Sequence, residues 1–147
     1  MTAPDGSPCA MVKAVEVVGE RWTFLVLREA LAGASRFSEF RAALGIASDV
    51  LAARLAKLVD TGLMCRRGYR EPGQRPREGY HLTEAGRRLS VVLCALQQWG
   101  DEHIPCTTPT VDYRATDGRA VSVRFVDADG VVVPAHDVRA ERTAPVA

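Results

Sequence analysis

An α+β fold is what this sequence predicts: a run of short helices closed by a basic two-stranded hairpin, a long apolar helix, and a β-rich tail. Three observations carry that prediction. Apolar residues recur every three or four positions from Met11 to Trp99, the helical period. The proline- and glycine-broken run Pro72-Gly73-Gln74-Arg75-Pro76-Arg77 interrupts that pattern between two short strand-like segments. After Pro105 the period falls to two, with Asp-Gly pairs at 117–118 and 129–130.

Pro8 opens the first helix with Ser7 as its cap, and Met11, Val12, Val15 and Val18 follow at helical spacing up to Gly19. A second helix runs from about Thr23 through Leu25, Val26, Leu27, Ala30 and Leu31, with Trp22 as a core anchor between the two. Arg36-Phe37 begins a short third helix, capped by Ser38 and closed at Leu44-Gly45-Ile46. Ser48 then caps a fourth, in which Leu51, Leu55 and Leu58 share one face while Asp49, Ala53, Ala56 and Asp60 stand opposite. Two helices joined by so short a turn make a helix-turn-helix, and a small-residue face on the second lets base edges approach closely.

Strands over Leu63–Tyr69 and Arg77–Leu82 flank the broken loop, because proline cannot continue a ladder. Helix, strand, basic loop, strand is the layout of a winged helix, which places one rod in a DNA groove and one loop on neighbouring phosphates. Thr83 caps a long final helix over 84–103 with Leu89, Val92, Leu93, Leu96 and Trp99 on one stripe. A stripe this long exceeds what so small a core can cover, so its surplus pairs with a symmetry mate, joined by Val12 and Val15 of the first helix. The tail reads as a three-stranded antiparallel meander built on Val111–Ala115, Val121–Phe125 and Val131–Val133. Residues 1–8 read as a flexible N-terminus, 9–104 as the winged-helix domain with dimerisation helices over 9–19 and 84–103, 105–137 as the β extension, and 138–147 as a disordered tail.

A net charge of +1 over 147 residues argues at first against nucleic acid. The distribution reverses that reading. Residues 36–89 hold eleven basic and six acidic groups, whereas residues 100–147 hold five basic and eight acidic. Positive charge is concentrated where the helix-turn-helix and wing lie, and a local patch attracts phosphate even on a nearly neutral molecule.

Other chemistries find little support. Cysteines at 9, 65, 94 and 106 form no C-x-x-C pair, and His103 with Cys106 supplies only two ligands, so no metal or other cofactor is expected. Asp127-Ala128-Asp129-Gly130 reads as a turn, since a calcium loop needs further ligands and a closing glutamate. His81, His103 and His136 are scattered, with no nucleophile–base pair, so the chain is not expected to be an enzyme. No apolar run is long enough for a bilayer and Met1–Gly6 has no signal layout, so no membrane partner is expected and the cytoplasm is the simplest location.

The order of features from Cys9 to about Trp99 resembles the HxlR family of bacterial winged-helix transcription regulators, within the MarR-like superfamily. Gly19-Glu20-Arg21-Trp22-Thr23, Leu27-Arg28-Glu29-Ala30-Leu31, Arg36-Phe37-Ser38-Glu39-Phe40 and Gly45-Ile46-Ala47-Ser48 carry it. Leu51, Arg54-Leu55, Leu58, Gly62-Leu63 and Tyr80-His81-Leu82-Thr83-Glu84-Ala85-Gly86 complete the set, about two-thirds of the chain. The resemblance implies a homodimer built from the terminal helices, binding a near-palindromic operator as a repressor or switch. It also implies a response to electrophiles, oxidants or small aromatic compounds. Cys9 matches the position of a redox-sensing cysteine in some members; its other reading is a small hydrophobe in the dimer seam. Two departures stand out. Asp49 replaces an expected amide or basic residue, and the tail has Asp-Gly turns where some longer members have cysteine-bearing ones.

On this reading double-stranded DNA receives phosphate contacts from Arg36, Ser38, Lys57, Arg66, Arg67, Arg70, Gln74, Arg75 and Arg77. Base edges are met by Ser48, Asp49, Ala52 and Ala53; Arg54 is either a further base contact or half of an internal salt bridge. Trp22, Phe24, Phe40 and Trp99 are candidates for a small-molecule effector pocket, or simply core. The competing function is a winged-helix protein–protein interaction module that does not bind DNA.

Overall fold

The computed structural model describes residues 9–108 and 111–141. The flexible segment expected over 1–8, the Ser7 cap with Pro8, and the last six residues of the expected disordered tail lie outside them. Two compact units divide at Leu93/Cys94, inside the last helix, whereas the sequence places the boundary after residue 104.

The first unit contains α1 (Ala10–Val18), α2 (Arg21–Leu31), α3 (Phe37–Leu44), α4 (Ser48–Asp60), β1 (Met64–Tyr69), β2 (Arg77–Leu82) and α5 (Glu84–Arg88). Its core is assembled from the periodic positions: Val26 and Leu27 of α2, Phe40 of α3, and Leu51, Leu55 and Leu58 of α4. Met64 and Leu82, directly paired at the base of the hairpin, close it from below. Each fully buried leucine contributes about 1.5–3 kcal/mol, so the α4 stripe alone anchors the reader helix firmly.

Three starts differ from expectation. The second helix begins at Arg21, so Trp22 sits half-buried in its first turn and is not a core anchor. Ser38 lies inside α3, where Arg36 is the cap position; Glu39 reaches back instead and accepts the backbone N–H groups of Ser35 (2.8 Å) and Arg36 (2.9 Å). Ser48 is the first residue of α4, and Ala47 holds the cap position. Gly45 adopts φ +60° to end α3, and the buried Ile46 draws the chain inward, which leaves only Ala47 before helical geometry resumes.

β1 and β2 pair antiparallel from Met64↔Leu82 to Tyr69↔Arg77, so residues 70–76 form the wing tip. The backbone N–H of Tyr80 donates to Ser35 O at 2.7 Å, which fastens the hairpin to the α2–α3 turn. Thr83 caps α5 as expected, accepting Gly86 N–H at 3.2 Å and donating to Gly62 O at 2.6 Å. The single helix expected over 84–103 is two. Leu89 N–H bonds back to Gly86 O at 3.2 Å, a tight turn that separates α5 from α6 (Ser90–His103). A Cβ on Gly86 would lie 2.1 Å from Leu63 O, so α5 is pressed onto the start of the hairpin.

The second unit holds the rest of α6 and the tail. Both Asp-Gly turns form where expected, with Gly118 at φ +87° and Gly130 at φ +81°. The three-stranded meander does not. A single bridge, Arg114↔Ala120, surrounds the first turn, and β3 (Phe125–Val126) pairs with β4 (Val132–Val133) around the second, as separate ladders. The reason lies in α6: Gln98 takes both backbone polar groups of Val123, and Gln97 Nε2 donates to Val111 O at 2.6 Å. Those peptide groups are thereby spent on helix side chains instead of a shared sheet. Asp127 Oδ1 accepts the N–H groups of Asp129 and Val131, as a turn residue does. A short 3₁₀ helix, Ala135–Asp137, follows.

Candidate nucleic-acid interface

Ser48, Asp49, Ala52 and Ala53 are all exposed at the start of α4, on the side away from Leu51, Leu55 and Leu58. Arg54 and Lys57 are directed elsewhere. Arg54 Nη1 contacts Glu20 Oε2, and Lys57 Nζ lies 3.2 Å from Glu20 Oε1 and 3.2 Å from the carbonyl of Glu16. Of the two readings of Arg54, the internal salt bridge is the one observed; Lys57 shares it and is not a free cation. Arg54 Nε is buried without a hydrogen-bond partner among the described residues.

The wing divides into fastened and free arginines. Arg36 is fastened: Nη1 lies 2.5 Å from Glu71 Oε1, and its guanidinium stacks over Tyr69 at 4.8 Å. This clamp ties the start of α3 to the wing. Arg66 is loosely held, 3.8 Å from Glu78 and 5.9 Å from the Tyr80 ring. Arg67, Arg70, Arg75 and Arg77 are exposed and make no ion pair among the described residues. Gln74 is exposed, its N–H closing the turn to Glu71 O at 3.0 Å, and Ser38 is exposed on α3. The two backbone hydrogen bonds to Glu39, aided by the nearby Arg36 charge, hold its carboxyl below the usual glutamate range. The fasteners Glu20, Tyr69 and Glu71 escape sequence reasoning, because Glu20 and Arg54, or Arg36 and Glu71, share no local spacing; Glu71 and Glu78 are two acids in a mostly cationic hairpin, and nothing local distinguishes them.

Phe40 is fully buried in the first unit's core, which removes it as a ligand contact. Trp22 and Phe24 are half-buried on α2, Trp22 under the Arg21 guanidinium at 5.0 Å, and Trp99 belongs to the second unit. Among the expected dimer contacts, Val15, Val92 and Leu96 are 56%, 48% and 53% exposed, and Val12 and Leu89 are half-buried. Leu93 is only 6% exposed, so it packs within its own chain and leaves the expected seam. Cys9 is half-exposed, and all four cysteines are free thiols.

The family model described as HxlR-like helix-turn-helix matches residues 17–108, which includes every element from α2 to α6. The chain belongs to this family. Its members are transcriptional regulators, not enzymes. The uncharacterized HTH-type transcriptional regulator Mb3122 of Mycobacterium bovis is 47% identical over 93 residues, covering 63% of this chain and 58% of that one. This HxlR-like chain thus spans less than two-thirds of its mycobacterial relative. The crystal structure of PA1607 superposes with a TM-score of 0.77 at 33% identity over 92% of this chain and 95% of that one. The redox regulator HypR in its oxidized form superposes at 0.59 and 27% identity over 67% of this chain and 100% of that one. The winged-helix α+β fold is therefore shared with transcription factors. No helix among the described residues is long and apolar enough to cross a membrane.

Proposed function

We propose that this HxlR-like regulator acts in the cytoplasm as a homodimer on a near-palindromic operator, as a repressor or switch. The first turn of α4, with Ser48, Asp49, Ala52 and Ala53, meets base edges in the major groove. Arg67, Arg70, Arg75 and Arg77, with Arg66, Gln74 and Ser38 beside them, neutralise phosphates, and Arg75 or Arg77 approaches the minor groove. One observation carries the reading: the wing presents four exposed arginines that no acid of the chain occupies among the described residues. Arg36 positions the wing through Glu71, while Arg54 and Lys57 hold α4 in place. Val15, Val92 and Leu96 supply the dimer face. Similarity to the redox regulator HypR supports a redox-responsive switch, with the half-exposed Cys9 as its sensor.

The test is a gel shift on DNA from the gene's own upstream region, comparing the protein with the Arg75→Ala/Arg77→Ala double variant. Affinity should drop on every sequence, and the salt slope should fall by about one to two units on a log–log plot. An unchanged slope removes the wing from the interface, and indifference to all duplexes at modest salt leaves the protein-interaction module as the surviving function.

A further inference from the structure

We infer that the second unit carries a binding cleft for a bulky aromatic cation. The C-terminal half of α6 and the β3–β4 hairpin enclose a cleft of 540 Å³, within the range of about 300–1,000 Å³ typical of small-molecule sites. Its walls are largely apolar. Trp99 and Phe125 both line it, and each is 55% exposed, so two aromatic surfaces stand open to an occupant. His103 stacks on the Trp99 indole at 5.2 Å without lining the cleft, which steadies the ring from outside.

Charge selects the occupant. Two charged side chains line the cleft, Glu102 and Arg124. Arg124 Nη1 donates to Val123 O at 2.9 Å, which ties one edge of its guanidinium to the wall, and Gln98 is spent on the same residue's backbone. Glu102 has no hydrogen-bond or ion-pair partner among the described residues, and its carboxylate is left for a ligand. The surrounding sequence adds to this, with eight acidic against five basic residues over 100–147. Two open aromatic faces beside an unpaired carboxylate favour a cation over a neutral or anionic molecule of the same shape. The cleft is defined, and its binding measured, without DNA, so this inference stands or falls apart from the operator reading.

The experiment is calorimetric titration of the full-length protein with tetraphenylphosphonium and with tetraphenylborate, aromatic ions of nearly equal size and opposite charge. The cation should bind about tenfold more tightly than the borate, and Glu102→Gln should weaken it about five- to tenfold with an unchanged circular dichroism spectrum. Trp99→Ala should remove most of the binding; should that variant misfold, the comparison of the two ions and Glu102→Gln decide alone. Equal or tighter binding of the borate, no binding of either ion, or an unaffected Glu102→Gln variant overturns the proposal. So does cation affinity that falls as protein concentration rises, which would mean that a second copy of the chain fills the cleft.

Discussion

Glu20 holds Lys57 at 3.2 Å while its other carboxylate oxygen contacts Arg54, so one acid at the α1–α2 junction restrains two cations of the reader helix. Glu20 is 49% exposed and Arg54 22%, which makes this a partly screened network of modest strength. Removing the acid nevertheless leaves Arg54 partly covered and unpaired, its Nε already lacking a partner among the described residues. Glu20→Gln should therefore lose about 1–2 kcal/mol in urea denaturation. A double-mutant cycle with Arg54→Met should show a coupling of about 1 kcal/mol. Zero coupling would mean that the contact contributes nothing to seating α4.

Gly86 tests the packing of α5 against the hairpin. Alanine has a helix-propensity advantage of about 1 kcal/mol over glycine, so an open site would gain stability from Gly86→Ala. Here the new methyl would meet the backbone oxygen of Leu63 at 2.1 Å and Leu82 Cδ2 at 3.1 Å. Backbone cannot rotate aside, and the same Leu63 segment accepts bonds from Thr83. The variant should be destabilised by about 1–3 kcal/mol in spite of its propensity, read from the denaturation midpoint. A raised midpoint would show that α5 is not pressed against β1.

These residues also mark what can be read from sequence. The α4 stripe and the wing strands are legible because their causes are local: leucines at three and four, and prolines that end a ladder. Both Asp-Gly turns are legible for the same reason. The break at Leu89 is not, since the apolar period runs through it without interruption. Nor is the division of the α6 stripe, where Leu93 is buried while its neighbour Val92 is exposed. Within the candidate interface, the exposed first turn of α4 and the wing arginines follow from pattern. The capture of Arg54 and Lys57 by Glu20, and of Arg36 by Glu71, depends on tertiary distance that no spacing encodes. Ser38 and Ser48 were favourable caps by composition, yet Glu39 and the three-residue turn placed the helix starts elsewhere.

Glu39 should leave a signature in the pH dependence of stability. Backbone N–H groups of Ser35 and Arg36 lower its pKa in the folded chain from the ordinary 4.5. The folded state thus favours the carboxylate, and its stabilisation is fully present above the unfolded value. It is lost as pH falls through the lower folded value. The stability difference between the native protein and Glu39→Gln should be constant near neutrality and shrink once pH drops below about 4.5. A difference independent of pH from 7 to 3 would show that the glutamine makes the same bonds and that charge plays no part.

Neighbouring positions of the α6 stripe separate association from folding. Leu96 is 53% exposed and Leu93 is 6% exposed, three residues apart on one helix. If the exposed row Val92–Leu96, with Val15, forms the dimer face, Leu96→Glu places a carboxylate in an apolar seam while disturbing little within a single chain. Sedimentation should then report a monomer with unchanged helical content, and binding to a two-half-site operator should weaken sharply. Leu93→Ala should behave in the opposite way: a cavity in its own core costs about 2–5 kcal/mol, with the subunit affinity affected only through that loss. Should Leu96→Glu remain dimeric, the seam does not run along this face. Should Leu93→Ala dissociate at full stability, the buried leucine would have to be reassigned to the interface.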